Sequence, residues 1–231
     1  MRSPDITQDE YDGARYTPAL LAAYDLGVLG FNNRFVWRCP TKHLVDLYNR
    51  NASADHLDIG PGTGWHLLHT TWPTRLPRIA LLDLSEHSLQ FSARRLRDRG
   101  ITPDIYIGSV LQSLPTDRQY TSVAANLLMH CVPGHGWGSK GIAFEHIAAA
   151  TADDGVFFGS TVLTSGVSHT LLSRGVAEAF NRIRAFHNQA DDLPGLRQAL
   201  EAAFEDVSID TVGSMALWSA RRPRRERHGA A

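Results

Sequence analysis

The stretch His56–Leu68, HLDIGPGTGWHLL, decides the fold: a short apolar run holding an acid is followed by three glycines in five positions. A strand that turns directly into a helix leaves the first helical N–H groups unpaired and facing whatever lies beyond the strand end. Gly60, Gly62 and Gly64 let the backbone turn sharply and admit a ligand to contact distance. Their spacing is G-x-G-x-G, whereas a dinucleotide loop shaped around a pyrophosphate has G-x-G-x-x-G. Asp58, two residues before the first glycine, repels a pyrophosphate but can accept hydrogen bonds from an amino group.

Apolar runs alternate with helix-period segments on both sides of this loop, the pattern of an α/β domain with a mainly parallel sheet. Strands are expected at His56–Ile59, Ile79–Asp83, Asp104–Gly108, Thr121–Asn126 and Gly155–Leu163. VSIDTV and SMALWSA flank Gly213 like the arms of a hairpin. Between the second and third strands, Leu89, Ala93 and Leu96 stand at helical spacing, with Ser85 as cap and Gly100 as stop. Right-handed crossovers then align the strands with their C-terminal ends on one edge, where an open α/β sheet binds its ligand. Asp83, nineteen residues after Gly64, ends the second strand, where an acid can accept from both hydroxyls of a ribose. The other reading of Asp58, Asp83 and the glycines is a tight turn between surface acids.

Two segments stand outside the alternation. Residues 1–52 carry helical signals around PALLAAYDLGVL and TKHLVDLYNRN and are expected to form an N-terminal helical cover. A helical insertion is expected at about residues 165–190, where Leu172, Val176, Ala179, Ile183 and His187 follow helix spacing. A further helix, LPGLRQALEAAF, follows, so one crossover holds two helices. The ligand-binding domain then spans 53–220. The last eleven residues, RRPRRERHGAA, hold five arginines against one glutamate and read as a basic disordered tail.

Composition bounds the function class. In 231 residues, 43% hydrophobic and 20% charged, there is apolar material for a sizeable core and too little charge for a disordered chain. The net charge of −1 provides no electrostatic case for nucleic acid. No window approaches 18 uninterrupted apolar residues, and MRSPDITQDEYDG lacks a signal peptide's apolar run, so no membrane partner and a cytoplasmic location are expected. Cys39 and Cys131 are too few for a disulfide framework. The oligomeric state is open, a homodimer among the options.

LDIGPGTG resembles the S-adenosylmethionine (SAM) motif of the class I methyltransferases, and LLDLS is similar to their ribose-binding acid. The likeness runs from about Asp55 to Leu163, with VLQSLP after the third strand and TADDGVFFGSTVL as turn and fifth strand. It implies a Rossmann-like seven-stranded sheet with helices on both faces and the last strand antiparallel. It implies SAM as cofactor and S-adenosylhomocysteine (SAH) as product. Asp58, Gly60, Gly62 and Gly64 would hold the methionine end, Asp83 the ribose, and Leu84 would lie beside the adenine. The family often has an acid after the third strand, where this chain has Ser109; Ser109, or the backbone of Val110, would then contact the adenine. Asn126 would sit at the fourth strand's end near the sulfonium.

Methyl transfer is an in-line displacement at a carbon already activated by sulfonium, so the protein mainly positions the acceptor and removes a proton where needed. NLLMHCVPGHGW occupies the edge after the fourth strand, and His130 is the first candidate for a base or a substrate hydrogen bond; packing on the cofactor is the other reading. His135 follows in the PGHG turn. His130, Cys131 and His135 match no standard zinc spacing, and Asn126 stands where a magnesium-dependent transferase wants an acid, so no metal is expected. His66 and His69 read as partly exposed helix residues. Trp37 and Arg38, amid interleaved aromatic and polar residues, suit an apolar pocket with orienting groups or a core-packing pair, Arg38 being also a candidate for the cofactor carboxylate; His187 is a wall candidate. These features point to a SAM-dependent methyltransferase acting on a small, partly apolar metabolite at O, N or S, less so at carbon. The alternative is a SAM-binding protein of the same fold that transfers no methyl group, cyclase-like or regulatory.

Overall fold

The computed structural model describes residues 32–225. Helix α1 (Thr41–Asn51) leads into β1 (Asp55–Ile59), the glycine loop and the short α2 (Trp65–His69). Next come β2 (Arg78–Asp83), α3 (Glu86–Arg97), β3 (Asp104–Ile107) and β4 (Tyr120–Asn126). Helices α4 (Trp137–Lys140) and α5 (Ile142–Ala150) precede β5 (Thr151–Val162). Helices α6 (Leu171–Arg182) and α7 (Leu193–Ala203) then lead into the hairpin of β6 (Phe204–Val212) and β7 (Met215–Pro223). The seven strands form one sheet in the order β3-β2-β1-β4-β5-β7-β6. β7 runs antiparallel to both neighbours, β5 and β6, and the other pairings are parallel. This is the expected Rossmann-like sheet, with the chain reversing between β1 and β4 where an open sheet forms its ligand crevice.

Strand alternation sorts the core into two layers. Leu57, Ile59, Ala80, Leu82, Val123, Ala125 and Phe157 pack with Phe144 and Ile147 of α5 and Leu196 and Leu200 of α7. Ile79, Leu81, Ala124, Val156 and Phe158 face the other way, onto α1, α3 and α6. Side chains alternate with period two, so near-continuous apolar strands bury both faces. Helix α3 is built as its sequence dictates: Ser85 caps it by accepting from the Ser88 N–H, and Leu89, Ala93 and Leu96 line its buried stripe. Arg94, Arg95 and Arg97 stand in its last turn, where cations favour the helix dipole.

Four features depart from the sequence reading. Residues 1–31 of the expected cover lie outside the described residues; in the part that is described, residues 32–52, Val36, Trp37 and Cys39 together with Leu44, Leu47 and Tyr48 of α1 pack into the second core layer, on the face of the sheet rather than over its edge. Helix α6 stops at Arg182, and its buried residues are Ser173 and Ala177, so Leu172 and Ile183 of the expected stripe are exposed and His187 lies beyond the helix. β5 starts at Thr151, its register with β4 slipping between Tyr120 and Ser122, so TADD is an irregular strand end and not a turn. The expected tail from residue 221 begins as fold: residues 221–223 are in β7, and Arg225 donates to Ala148 O at 2.7 Å and Thr151 O at 2.6 Å. Residues 226–231 of that tail lie outside the described residues. Among the described residues no helix is long and apolar enough to cross a membrane.

Candidate active site at the carboxyl edge of the sheet

Register places three predicted polar residues on one face. Asp58 of β1 pairs with Leu81 of β2 and with Ala124 of β4. Asp83 and Asn126 lie two residues beyond those partners, and paired neighbours share a face, so Asp58, Asp83 and Asn126 all project toward the α1/α3 layer. Asp58 is 2% exposed, and its Oδ2 accepts from the Tyr48 hydroxyl at 2.8 Å, with His56 Nε2 at 3.4 Å. His56 Nδ1 lies 2.8 Å from Ser122 Oγ, so the acid is anchored through β4 as well as α1. Burial, and then the Asp58 charge, push the Tyr48 phenol well above its ordinary value, which keeps its proton as donor.

The glycine loop turns because all three glycines adopt left-handed φ: +68° at Gly60, +56° at Gly62 and +71° at Gly64. Ser88 Oγ at 3.0 Å and Ser92 Oγ at 2.8 Å both donate to Gly62 O, and Arg95 donates to Thr63 O at 2.9 Å. The loop carbonyls are thereby tied to α3. A Cβ at Gly60 would meet Leu128 Cδ1 at 2.8 Å and one at Gly64 would meet Ser92 Cβ at 3.2 Å, but one at Gly62 would meet none of the described residues within 4 Å. Packing among the described residues therefore does not demand a bare backbone at Gly62.

Asp83 Oδ1 accepts from the Ser85 N–H at 2.8 Å, and Ser88 Oγ, whose one proton is shared between Gly62 O and this acid, lies 3.1 Å from Oδ2. Burial raises its pKa to about 6, with a smaller push from Asp58, against those hydrogen bonds. Two oxygens carry about four acceptor positions, so capacity remains for a diol. Leu84 is half-buried beside it. Ser109 and Val110 are buried; Ser109 Oγ accepts from the Leu111 N–H at 3.1 Å, and the Val110 carbonyl accepts from His146 Nδ1 at 2.9 Å. Both polar groups expected at the adenine thus already have protein partners.

Asn126 Oδ1 accepts from Ser160 Oγ at 2.5 Å and its Nδ2 lies 3.3 Å from His66 Nε2. The next residue, Leu127, has φ +56°, a left-handed conformation seldom adopted by branched side chains, held by its N–H to Ser160 O at 2.9 Å. His66, read from the sequence as an ordinary helix residue, joins the site: it stacks on Tyr48 with ring centroids 5.3 Å apart. Burial first and His69 second push its imidazole down, so it is neutral near pH 7. Its position, two residues past Gly64 in the first turn after the loop, was the available signal.

His130 is 4% exposed, and its Nδ1 accepts from the Val162 N–H at 3.3 Å and lies 3.3 Å from Thr161 Oγ1. A ring nitrogen that accepts a backbone N–H carries no proton, so the neutral ring bears its proton on Nε2. Burial, with the Lys140 charge behind it, lowers the His130 pKa to about 3. The arrangement supports the hydrogen-bond-donor side of the expectation and disfavours proton abstraction. Phe186 stands edge-on to the ring with centroids 4.3 Å apart, and the His187 N–H donates to His130 O at 2.7 Å.

Sequence reasoning missed Lys140. It is fully buried and donates to Asp191 Oδ2 at 2.7 Å, His187 O at 2.7 Å and Met129 O at 3.2 Å, three acceptors for three protons. This staples the β4–α4 loop to the α6–α7 loop. Only chain closure from 51 residues away could reveal the pair.

The four substrate-site candidates separate. Trp37 is 2% exposed, packs 5.9 Å from Phe186 by ring centroids and receives the Ser214 N–H on its carbonyl at 2.8 Å, so it is a core residue behind the wall. Arg38 is exposed with φ +56° and stands at the Gly213 turn, where a Cβ would meet its own Cβ at 2.8 Å. His135 and His187 come together, lining a recess of about 190 Å³ with Arg184, Phe186 and Gln189.

No family model matches the chain. It is 37% identical over 217 residues, 93% of either chain, to a demethylluteothin O-methyltransferase of Streptomyces thioluteus. It is 35% identical over 224 residues, 96% of this chain and 99% of the relative, to a physcion biosynthesis cluster O-methyltransferase of Aspergillus chevalieri. Among solved structures it resembles the SAH complex of DhpI, with a TM-score of 0.61 at 20% identity over 94% of this chain and 96% of that one.

Proposed function

The chain belongs to the SAM-dependent small-molecule methyltransferases, and from that membership we propose that it transfers the methyl group to an oxygen of a small, partly apolar metabolite. The observation that carries the reading is the convergence of Asp58, Asp83 and Asn126 on one face of adjacent strand ends around the left-handed glycine loop. The choice of oxygen is supported by the relatives, whose names are those of O-methyltransferases.

The residues present fit the cofactor. The space at Gly62, clear of the described residues, admits a ligand against bare backbone, and the remaining acceptor capacity of Asp83 suits a ribose. When bound, SAM supplies a methyl group already activated for displacement. Asp58, with Oδ2 occupied by Tyr48 and His56, offers Oδ1 to the amino group of the methionine end. Asp83 accepts from the ribose hydroxyls, Leu84 packs beside the base, and Ser109 and Val110 wall it. Asn126, held by Ser160 and His66, borders the reacting centre. His130 donates from Nε2 to the acceptor oxygen and orients it, while Phe186 supplies an apolar wall. This geometry suits an acceptor acidic enough to lose its proton to water, such as a phenol or enol.

A small molecule as partner, with no nucleic acid, accords with the near-neutral net charge. A reducing, cytoplasmic setting accords with Cys39 and Cys131 both being thiols. Residues 53–220 form the cofactor-binding unit in this reading, with α1 packed into it.

The test is incubation of the purified chain with methyl-labelled SAM and a panel of hydroxyaryl and enol acceptors. Formation of SAH in step with a labelled methyl ether is the expected result. Label recovered on carbon or nitrogen, or SAM binding without transfer across the panel, would overturn the assignment to oxygen or the reading of the acceptor.

A further inference from the structure

Asn126, at the end of β4, has its amide oriented from both sides. Its Oδ1 lies 2.5 Å from Ser160 Oγ, a separation that suits O–H···O and is too short for N–H···O, so the oxygen and not the nitrogen meets the hydroxyl. Ser160 Oγ also accepts the Leu127 N–H at 3.2 Å, which leaves its one proton for Oδ1. The other end of the amide, Nδ2, then lies 3.3 Å from Nε2 and 3.4 Å from Nδ1 of His66. Burial keeps that imidazole neutral, so one ring nitrogen is bare and can accept. A protonated ring could only donate, and would set two donors against each other.

The ring is itself fixed. It stands in the first turn after the glycine loop, lies at 13° to Tyr48 with centroids 5.3 Å apart, and has Trp65 edge-on at 5.2 Å. Tyr48 carries its hydroxyl to Asp58, so one stacked pair places both that acid and the amide of β4. Strain marks the same point in the chain. Leu127, directly after Asn126, holds φ +56°, a conformation that a branched residue keeps where its surroundings over-determine it. Ser160 supplies that hold, its carbonyl accepting the Leu127 N–H at 2.9 Å. Ser160 is fully buried and His66 half-buried, so the accessible end of the amide is its nitrogen.

We propose that His66 is a positioning residue: accepting from Nδ2 while Ser160 donates to Oδ1, it holds Asn126 with its N–H groups, and not its carbonyl, toward the reacting centre. Asn126 then offers the methyl acceptor a donor only. An oxygen that has given up its proton is stabilised there, whereas a hydroxyl finds no partner on Asn126 for its hydrogen. The inference rests on the methyltransferase reading and adds to it the residue that sets the polarity of the acceptor site.

The test compares the full chain with His66→Phe and His66→Gln. Phenylalanine keeps the ring stack on Tyr48 and removes the acceptor; glutamine keeps an acceptor and removes the stack. With the acceptor of the panel above that turns over fastest, kcat should fall about tenfold in His66→Phe, the worth of one hydrogen bond, and His66→Gln should recover most of that loss. The KM for the acceptor and the calorimetric affinity for SAH should both change less than kcat in His66→Phe. In the 15N-labelled chain without ligand, the Asn126 side-chain amide protons should exchange slowly in the wild type and in His66→Gln, and rapidly in His66→Phe. Unchanged kcat and amide exchange in His66→Phe, or His66→Gln no better than His66→Phe, would overturn the positioning role. Failure of the wild type to bind SAH or to methylate any member of the panel would overturn the proposed function instead, and amide exchange would still decide whether His66 holds Asn126.

Discussion

Tyr48 donates its hydroxyl to Oδ2 of Asp58 at 2.8 Å, joining the C-terminal half of α1 to the end of β1 just before the glycine loop. The pair is buried, so the tyrosine orients the acid, which in the proposed function offers Oδ1 to the ligand. Tyr48→Phe removes the donor and leaves a buried acceptor less well satisfied. It should destabilise the chain by about 1–3 kcal/mol in urea denaturation. SAH affinity should fall severalfold in the same variant, and unchanged affinity would show that Asp58 needs no such orientation.

In the proposed function, Asp83 makes cofactor affinity pH-dependent. Its pKa in the fold is raised to about 6 by burial, above the ordinary 3.8, so the protonated acid favours folding below the lower value and that contribution is lost as pH rises through about 6. Ribose hydroxyls donate to the ionised form. SAH affinity should therefore rise between pH 5 and 7 and level off above, and Asp83→Asn should bind at least about tenfold more weakly with a flat profile, the loss of charged hydrogen bonds.

Gly60 and Gly62 separate backbone strain from ligand contact. Both have left-handed φ, so alanine at either should cost about 1 kcal/mol by thermal denaturation. At Gly60 the new methyl also meets Leu128, whereas at Gly62 it meets none of the described residues within 4 Å. Gly62→Ala should nevertheless lose SAH binding, since the proposed function passes the ligand through that space. Retained binding would place the ligand elsewhere.

His130 should show itself as acid lability. Its pKa is lowered to about 3, so the unfolded chain takes up the proton first as pH falls below 6.5. The stability it contributes is complete above pH 6.5 and drains away toward pH 3, at up to about 1.4 kcal/mol per pH unit. His130→Gln should flatten that slope between pH 6.5 and 4. Turnover by the wild type should show no inflection from His130 between pH 6 and 8, and an inflection there that vanishes in His130→Gln would restore it as a general base.

Lys140 and Asp191 form a buried pair whose halves need each other. Lys140→Met alone leaves a buried carboxylate without its partner and should destabilise by about 3–5 kcal/mol. Pairing it with Asp191→Leu should recover most of that loss, because the isolated charge is then gone. Equal destabilisation by the single and double variants would mean that the loop backbone depends on the salt bridge itself.

The strands and α3 with its Ser85 cap were legible because each rests on neighbours in sequence: period-two burial, helical spacing and a capping side chain. The end of α6 was misread for a physical reason. Ile183 and His187 keep helical spacing, but the chain leaves the helix at Arg184 to reach the Asn181–Asn188 and His187–His130 bonds, and no local propensity encodes those partners. His66 was underestimated in the same way, since its stacking on Tyr48 depends on α1 packing under the loop.

By itself, the sequence determined the fold class, the glycine loop and the pair of acids, because the pleat and crossover rules carry residues at strand ends to one edge without reference to the rest of the chain. Only the tertiary structure decided that Tyr48 and His56 hold Asp58, that His130 keeps its proton on Nε2, and that Arg184 and His135 share a recess. Those facts depend on which loops meet across the sheet edge, and such meetings are set by packing between segments tens of residues apart.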